Sequence, residues 1–521
     1  MDNKVKDSEE KQKGIDVEDY HENKEITEFD EDLAVRCNNG TFVGLKDEYV
    51  ISYKGIPYAE PPIGNLRFKP PVEKQNSDKI YEAYYLGKSC YQTECETEQA
   101  GYYEQGEDCL TLNVWKNINS NITDKPVMVF IHGGAFGWGG TADPLYEGTN
   151  FIKENKDVIL VTINYRINIF GFINLSILEG GETYKESGNL GILDQVCALK
   201  WIQKNIKNFG GDPNNVTIFG ESAGACSVSI LPLVKGAKGL FHRVISQSGS
   251  YQFTNSIESS LMVTQKIIEL TGIKSVQELL DYSGEQMKEL IEQFCDDFLI
   301  FPVRDGIILP EDLFNEYDKI DFSGIDFMCG TNKDEYRYWI EDYGGFDIYQ
   351  PAILEIFGGY YYEFKERDQK NINKFFKTLK DNEIWNITEF INEYLFRIPA
   401  IAQAEKIIKS GGKVYMYFWK FPSAIKDLGA CHAVELSSVF NNLKNTIYTG
   451  ENYDENLAQN VQKMWVNFAK NGNPSTDNYQ WNCYDLVERK MMVLDKNIHE
   501  EKDILAERRK LLSSLANYYM N

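Results

Sequence analysis

The run Gly220-Glu221-Ser222-Ala223-Gly224 sets a serine between two glycines, directly after the β-branched run Val216 to Phe219 and before the small-residue helix start Ala225-Cys226-Ser227. A strand that turns sharply into a helix holds such a serine in a strained backbone conformation, and the positions two before and two after it must be tiny for the chains to pass. The strain presents Oγ at the helix N-terminus as a nucleophile; an ordinary glycine-rich strand-to-helix turn is the alternative. Serine is a poor nucleophile at its own pKa. It needs a histidine base, and an acid that fixes the imidazole tautomer and stabilises its charged form.

The chain has five histidines. His21 lies in an acidic stretch, His132 precedes a glycine loop, His242 sits beside Arg243 ahead of a strand, and His499 lies in a charged stretch that reads as helical. That leaves His432, which follows the run Val414 to Trp419 through a loop ending Gly429-Ala430-Cys431. Serine elbows of this kind take their partners in the chain order serine, acid, histidine. The acid then falls in Gly330-Thr331-Asn332-Lys333-Asp334-Glu335, after the run Asp326 to Cys329, where position admits either Asp334 or Glu335. The fourth part is Ile131-His132-Gly133-Gly134-Ala135-Phe136-Gly137. A tetrahedral intermediate carries an oxyanion that needs two or more backbone N–H donors, and glycines let the chain approach a substrate carbonyl closely. This loop and the N–H of Ala223 are expected to form that hole. A phosphate cradle would call for a Gly-Lys-Ser/Thr ending, which the loop lacks.

Elements that could carry these groups are visible as short apolar runs separated by helical patterns. The runs are Val127 to Ile131, Val158 to Asn164, Val216 to Phe219, Arg243 to Ser246, Asp326 to Cys329, Val414 to Trp419 and Met491 to Leu494. They are continuous rather than alternating, which predicts strands covered on both faces in an open, mostly parallel α/β sheet flanked by helices. Ile192, Val196, Leu199, Ile202 and Ile206 predict a largely buried helix ended by Gly210-Gly211. Residues 255–320 and 340–410 read as amphipathic helical insertions that cap the sheet's carboxyl edge. Ile504, Leu505, Leu511, Leu512, Leu515 and Tyr519 predict a terminal helix packed on the sheet.

Composition bounds the rest. The net charge of −25 repels phosphate backbones and anionic lipid, which disfavours nucleic acid and membrane surfaces and favours a neutral or cationic small molecule. Residues 1–32 hold thirteen acidic side chains against five lysines and read as a solvated acidic arm, leaving 33–521 as one domain. No run approaches the roughly 18 apolar residues of a membrane helix, and the N-terminus has no apolar core for secretion, so a cytoplasmic location is expected. Ten cysteines without a C-x-x-C pair give little support to structural zinc or to thioredoxin-type chemistry.

Together these residues resemble the type-B carboxylesterase and cholinesterase family of α/β hydrolases, in the style of bacterial para-nitrobenzyl-esterase-like carboxylesterases. The resemblance runs from about Val35 and is carried by Lys54-Gly55-Ile56-Pro57-Tyr58-Ala59, Pro61-Pro62, Arg67-Phe68 and Glu107-Asp108-Cys109-Leu110-Thr111-Leu112-Asn113-Val114. Asn164-Tyr165-Arg166, Asn189-Leu190-Gly191, Asp194-Gln195, Phe209-Gly210-Gly211-Asp212-Pro213, Gln247-Ser248-Gly249, Pro302-Val303-Arg304-Asp305-Gly306 and Trp465-Val466-Asn467-Phe468-Ala469 continue it in order. The insertions at 255–300 and 340–410 match poorly.

The resemblance implies an α/β-hydrolase fold and a serine esterase working through an acyl-enzyme, without metal or organic cofactor. It implies Ser222 as nucleophile, Glu335 rather than Asp334 as acid and His432 as base. It further implies Gly134, Ala135 and Ala223 as oxyanion donors, with Glu221 and Ser248 close behind the triad. Ala135 stands where the family has glycine; the N–H survives the methyl group, so the hole is expected to work but to be more crowded. Cys90 and Cys109 match the family's first disulfide, although free thiols are expected in a reducing cytoplasm. The loop between them contains Tyr102 and Tyr103 but no tryptophan, which argues against a choline-ester specialist. Competing readings are a lipase-like hydrolase of longer acyl esters and a non-catalytic interaction module; monomer and dimer stay open.

Overall fold

In a computed structural model, the described residues are 20–95, 99–120, 122–293, 300–342, 344–380 and 382–519. They contain fourteen strands: β1 (Ala34–Cys37), β2 (Gly40–Val43), β3 (Leu45–Asp47), β4 (Val50–Pro57), β5 (Ile80–Glu82), β6 (Thr111–Asn117) and β7 (Lys125–Ile131), then β8 (Ile159–Ile163), β9 (Gly211–Glu221), β10 (Arg243–Gln247), β11 (Asp326–Asn332), β12 (Lys413–Trp419), β13 (Lys490–Leu494) and β14 (His499–Lys502). β1, β2 and β5 form a small sheet; the others form one sheet in the order β14-β13-β12-β11-β10-β9-β7-β8-β6-β4-β3. From β13 to β8 all neighbours are parallel. Antiparallel pairs close both edges. This is the α/β-hydrolase arrangement.

The continuous apolar runs explain the parallel centre, because Val127 to Ile131 and Ile159 to Ile163 are buried at every position and need cover on both faces. The helices Leu190–Asn205, Ala223–Ile230 and Glu455–Asn471 supply cover. The first runs on through a 3₁₀ turn and stops at Gly210, whose φ of 90° is the left-handed conformation that glycine adopts without strain.

Each of the seven strands read from the runs lies within or beside an observed one. The pattern missed the strands before Lys125, and it misread His499, which begins β14 rather than sitting in a helix. The terminal helix is also shorter than its apolar stripe. Leu505 has a left-handed φ of 54° and precedes a helix of only Ala506–Leu512, which packs on the helix Glu366–Phe376 instead of on the sheet. Of the expected acidic arm, residues 1–19 lie outside the described residues. The remainder is tied down: Glu25 bridges Tyr81, and the Asn23 amide accepts from the backbone N–H groups of Tyr84 and Tyr85 while donating to the carbonyls of Lys54 and Tyr85.

What the sheet does for function is positional. β7, β9, β11 and β12 end next to Gly133, Ser222, Glu335 and the His432 loop, and these strands lie within five adjacent positions of the sheet. All four motifs therefore emerge at one carboxyl edge. The helices Trp339–Asp342, Phe346–Glu363, Glu366–Phe376 and Glu383–Ile391 belong to the second insertion, followed by a π-helical turn Asn392–Arg397 and the helix Ile398–Lys409. Among the described residues no helix is long and apolar enough to cross a membrane.

Candidate active site

Ser222 stands between β9 and the helix Ala223–Ile230 with φ 56° and ψ −119°, a conformation that costs an L-residue free energy. The neighbouring glycines are demanded by contact: a Cβ on Gly224 would lie 1.9 Å from the Ile131 carbonyl oxygen, and one on Gly220 would lie 2.5 Å from the carbonyl carbon of Gly224. Ser222 N–H donates to the Gln247 carbonyl at 2.9 Å, tying the elbow to β10. The serine is partly exposed, whereas Glu221 beside it is buried.

His432 Nδ1 lies 2.7 Å from Oε2 of Glu335, and its Nε2 lies 3.1 Å from Oε1 of Glu221, the residue before the serine. The ring thus reaches the elbow from β12 and is held between two buried carboxylates. Nε2 makes no hydrogen bond among the described residues. Glu335 is completely buried; its other oxygen accepts the Asn332 N–H at 2.6 Å, and its carbonyl accepts the His432 N–H at 3.2 Å. Asp334 faces elsewhere: its Oδ2 accepts the Ala430 N–H at 2.9 Å, and Arg337 lies 3.4 Å from Oδ1. It fastens the histidine loop. Glu335→Gln is therefore expected to lower kcat by roughly 10⁴-fold, as loss of the acid that sets the tautomer does elsewhere. Asp334→Asn should keep most activity while lowering thermal stability. Steady-state rates and melting curves of the two variants separate these roles; equal rate losses would contradict them.

The glycine loop lies against the elbow, since a Cβ on Gly133 would come within 3.1 Å of Ser222 Cβ. Gly134, Ala135 and Phe136 all have positive φ, of 92°, 48° and 59°. Gly137 and Trp138 close the turn by donating to the Gly134 carbonyl, a closure in which the N–H groups of Gly134 and Ala135 take no part. Ala223 opens its helix, so its N–H has no intrahelical acceptor. His132 braces this loop: its ring stacks on Tyr165, its carbonyl accepts the Tyr165 hydroxyl at 2.9 Å, and burial pushes its pKa down to about 4. His242 accepts the Val216 N–H through Nδ1, and His21 and His499 are exposed.

Several residues around the site carry roles that the sequence reading missed. Asn332 Nδ2 donates to the buried Glu435 at 2.7 Å, Gln247 donates to the other Glu435 oxygen at 3.1 Å, and Trp465 donates to Gln247 at 3.0 Å. Burial raises the Glu435 pKa. A carboxylate three residues after His432, between apolar Ala433-Val434 and Leu436, was the available signal. Ser248 is buried with φ 55°, and its N–H donates to the Gly330 carbonyl. The imidazole packs against Trp339, Tyr338 and Phe396. Phe396 continues through Phe253 and Phe301 to Phe136 in the glycine loop, which makes an aromatic wall from base to loop. The π turn that carries Phe396 also holds Asn392, whose side chain accepts the Tyr336 N–H at 2.7 Å.

The remaining motifs are clamps. Arg67 binds Glu107 bidentately at 2.7 and 2.6 Å, and Arg166 binds Asp194 in the same way at 2.8 and 2.7 Å, both pairs buried. Cys90 and Cys109 are joined in a disulfide, where free thiols were the expectation. Tyr103 is buried, its hydroxyl donating to the Leu86 carbonyl. Among the described residues no cluster of His, Cys, Asp and Glu could hold a metal ion.

A family model described as "Carboxylesterase family" matches residues 31–511. The para-nitrobenzyl esterase of Bacillus subtilis (strain 168) is 35% identical over 496 residues, covering 92% of this chain and 98% of that protein. Carboxylesterase 1C of Rattus norvegicus is 32% identical, covering 86% of each chain. Among solved structures, a carboxylesterase of Geobacillus stearothermophilus superimposes with a TM-score of 0.82 at 32% identity, covering 92% of this chain and all of that one.

Proposed function

The chain belongs to the carboxylesterase family and is a serine hydrolase of carboxylic esters, and from that premise we propose that Ser222, His432 and Glu335 are its triad. One observation carries the assignment: a strained serine elbow adjoins an imidazole whose other nitrogen is bound to a buried glutamate. His432 takes the proton of Ser222 as Oγ attacks the ester carbonyl, and the N–H groups of Gly134, Ala135 and Ala223 receive the oxyanion. Carboxylates at both ring nitrogens stabilise the imidazolium that forms. The ring then protonates the departing alcohol, and water repeats the sequence on the acyl-serine. Cofactor-free chemistry on a small uncharged ester fits the aromatic wall and the acidic surface. We take residues 33–521 as one domain and the cytoplasm as its location, and no nucleic acid or membrane as partner.

Rates on p-nitrophenyl esters of increasing acyl length, below and above micelle formation, test the esterase reading. Highest kcat/KM on soluble short chains supports it; activation at the micellar interface would favour a lipase. Ala135→Gly removes a methyl group from the crowded hole without removing its donor, so the rate on a tertiary-alcohol ester should rise relative to p-nitrophenyl acetate. An unchanged ratio would mean that the methyl group does not restrict the alcohol.

A further inference from the structure

One cavity away from the triad combines an apolar floor with a positive rim, on a chain whose net charge is −25. It lies between the helix Ile398–Lys409 and residues 509–516, beside Phe314, and its volume is about 260 Å³. Ile398, Ile401 and Ala516 form a buried floor, with Phe314 and Ala402 partly exposed at its sides. Three cations, Lys406, Lys409 and Arg509, line it with one carboxylate, Glu405. Glu405 is already bound by Arg489. Lys406 pairs with Asp318 and Arg509 with Asp503, whereas Lys409 is exposed and has no ion-pair partner among the described residues.

An apolar body beside an uncommitted ammonium group selects a molecule that has both a hydrocarbon part and a negative charge. A neutral ester fills the floor but gains nothing from Lys409. A free acid fills the floor and also meets the charge. We infer that this cavity binds an amphiphilic carboxylate, of medium acyl chain length or with a single aryl ring. Such an acid is the class of product that ester hydrolysis releases, and this identification alone rests on the proposed function. The cavity's helix continues directly from the π turn that places Phe396 against His432.

Titration calorimetry of the full chain with octanoate, with octan-1-ol as the uncharged control, tests the inference. The expected result is a saturable octanoate site that octan-1-ol occupies about tenfold more weakly, and whose octanoate affinity Lys409→Glu lowers by about tenfold. Filling the floor with Ala402→Trp should abolish it; Ala402→Leu, which asks less of the fold, should weaken it. Hydrolysis of p-nitrophenyl acetate by Lys409→Glu should be unchanged. Absence of saturable octanoate binding, or binding indifferent to both Lys409→Glu and the Ala402 variants, would overturn the proposal. An unmodified chain that fails to hydrolyse p-nitrophenyl acetate would overturn the proposed function instead, while the octanoate isotherm would still decide this one.

Discussion

Replacing Ser222 by alanine is expected to lower kcat for p-nitrophenyl acetate by roughly 10⁶-fold while leaving the melting temperature close to that of the parent. The large loss follows from chemistry: without Oγ there is no acyl-enzyme, and only the proposed oxyanion donors, the amides of Gly134, Ala135 and Ala223, remain to polarise a carbonyl toward water. The small structural effect follows from geometry. The backbone strain at φ 56° belongs to the turn, is fixed by the glycines at 220 and 224, and is the same for alanine. Thermal unfolding and burst-free steady-state kinetics measure the two sides. Retention of more than a small fraction of the parent rate would place the nucleophile elsewhere.

His432→Ala is expected to cost about as much, and the double variant with Ser222→Ala should fall little further, because base and nucleophile act as a unit. In a single turnover both the release of p-nitrophenol and the acylation of the serine should slow together. The four other histidines give no route around this loss. His132 is buried and held neutral under the glycine loop, His242 accepts a strand N–H, and His21 and His499 lie exposed. Additive losses in the double variant would show that the two side chains act on separate steps.

Much of the candidate site was legible because its constraints are steric and local. A serine with glycines two residues to either side, between an apolar run and a small-residue helix start, has few structural uses. The parallel strands were legible for a related reason: burial on both faces leaves an unbroken apolar run, as at Val127 to Ile131. β6 escaped notice because polar Asn113 and Lys116 interrupt it. Asn113 is nevertheless buried and donates to the Thr162 hydroxyl, a pairing visible only across strands. The terminal stripe from Ile504 to Tyr519 marked a buried face but not its partner, which proved to be other helices.

The acid illustrates a different limit. Residue type and position admitted both Asp334 and Glu335, and only the resemblance favoured the glutamate. The structure gives the two carboxylates separate partners, the imidazole for Glu335 and the Ala430 N–H for Asp334. Neighbouring carboxylates on a turn point in different directions, and nothing in their spacing records which way. The π turn at Asn392–Arg397 was invisible for a similar reason: a shift of hydrogen-bond register leaves no mark in composition, yet it sets Phe396 on the imidazole and Asn392 on the turn that bears the acid.

The convergence of an elbow hydroxyl, a base from β12 and backbone amides from two elements is tested most directly by where a serine-directed organophosphonate attaches. Peptide mass mapping of the inactivated chain should find one adduct, on Ser222, formed in proportion to the loss of esterase activity and absent from His432→Ala on the same time scale. An adduct on any other residue, or full inactivation without modification of Ser222, would contradict the account.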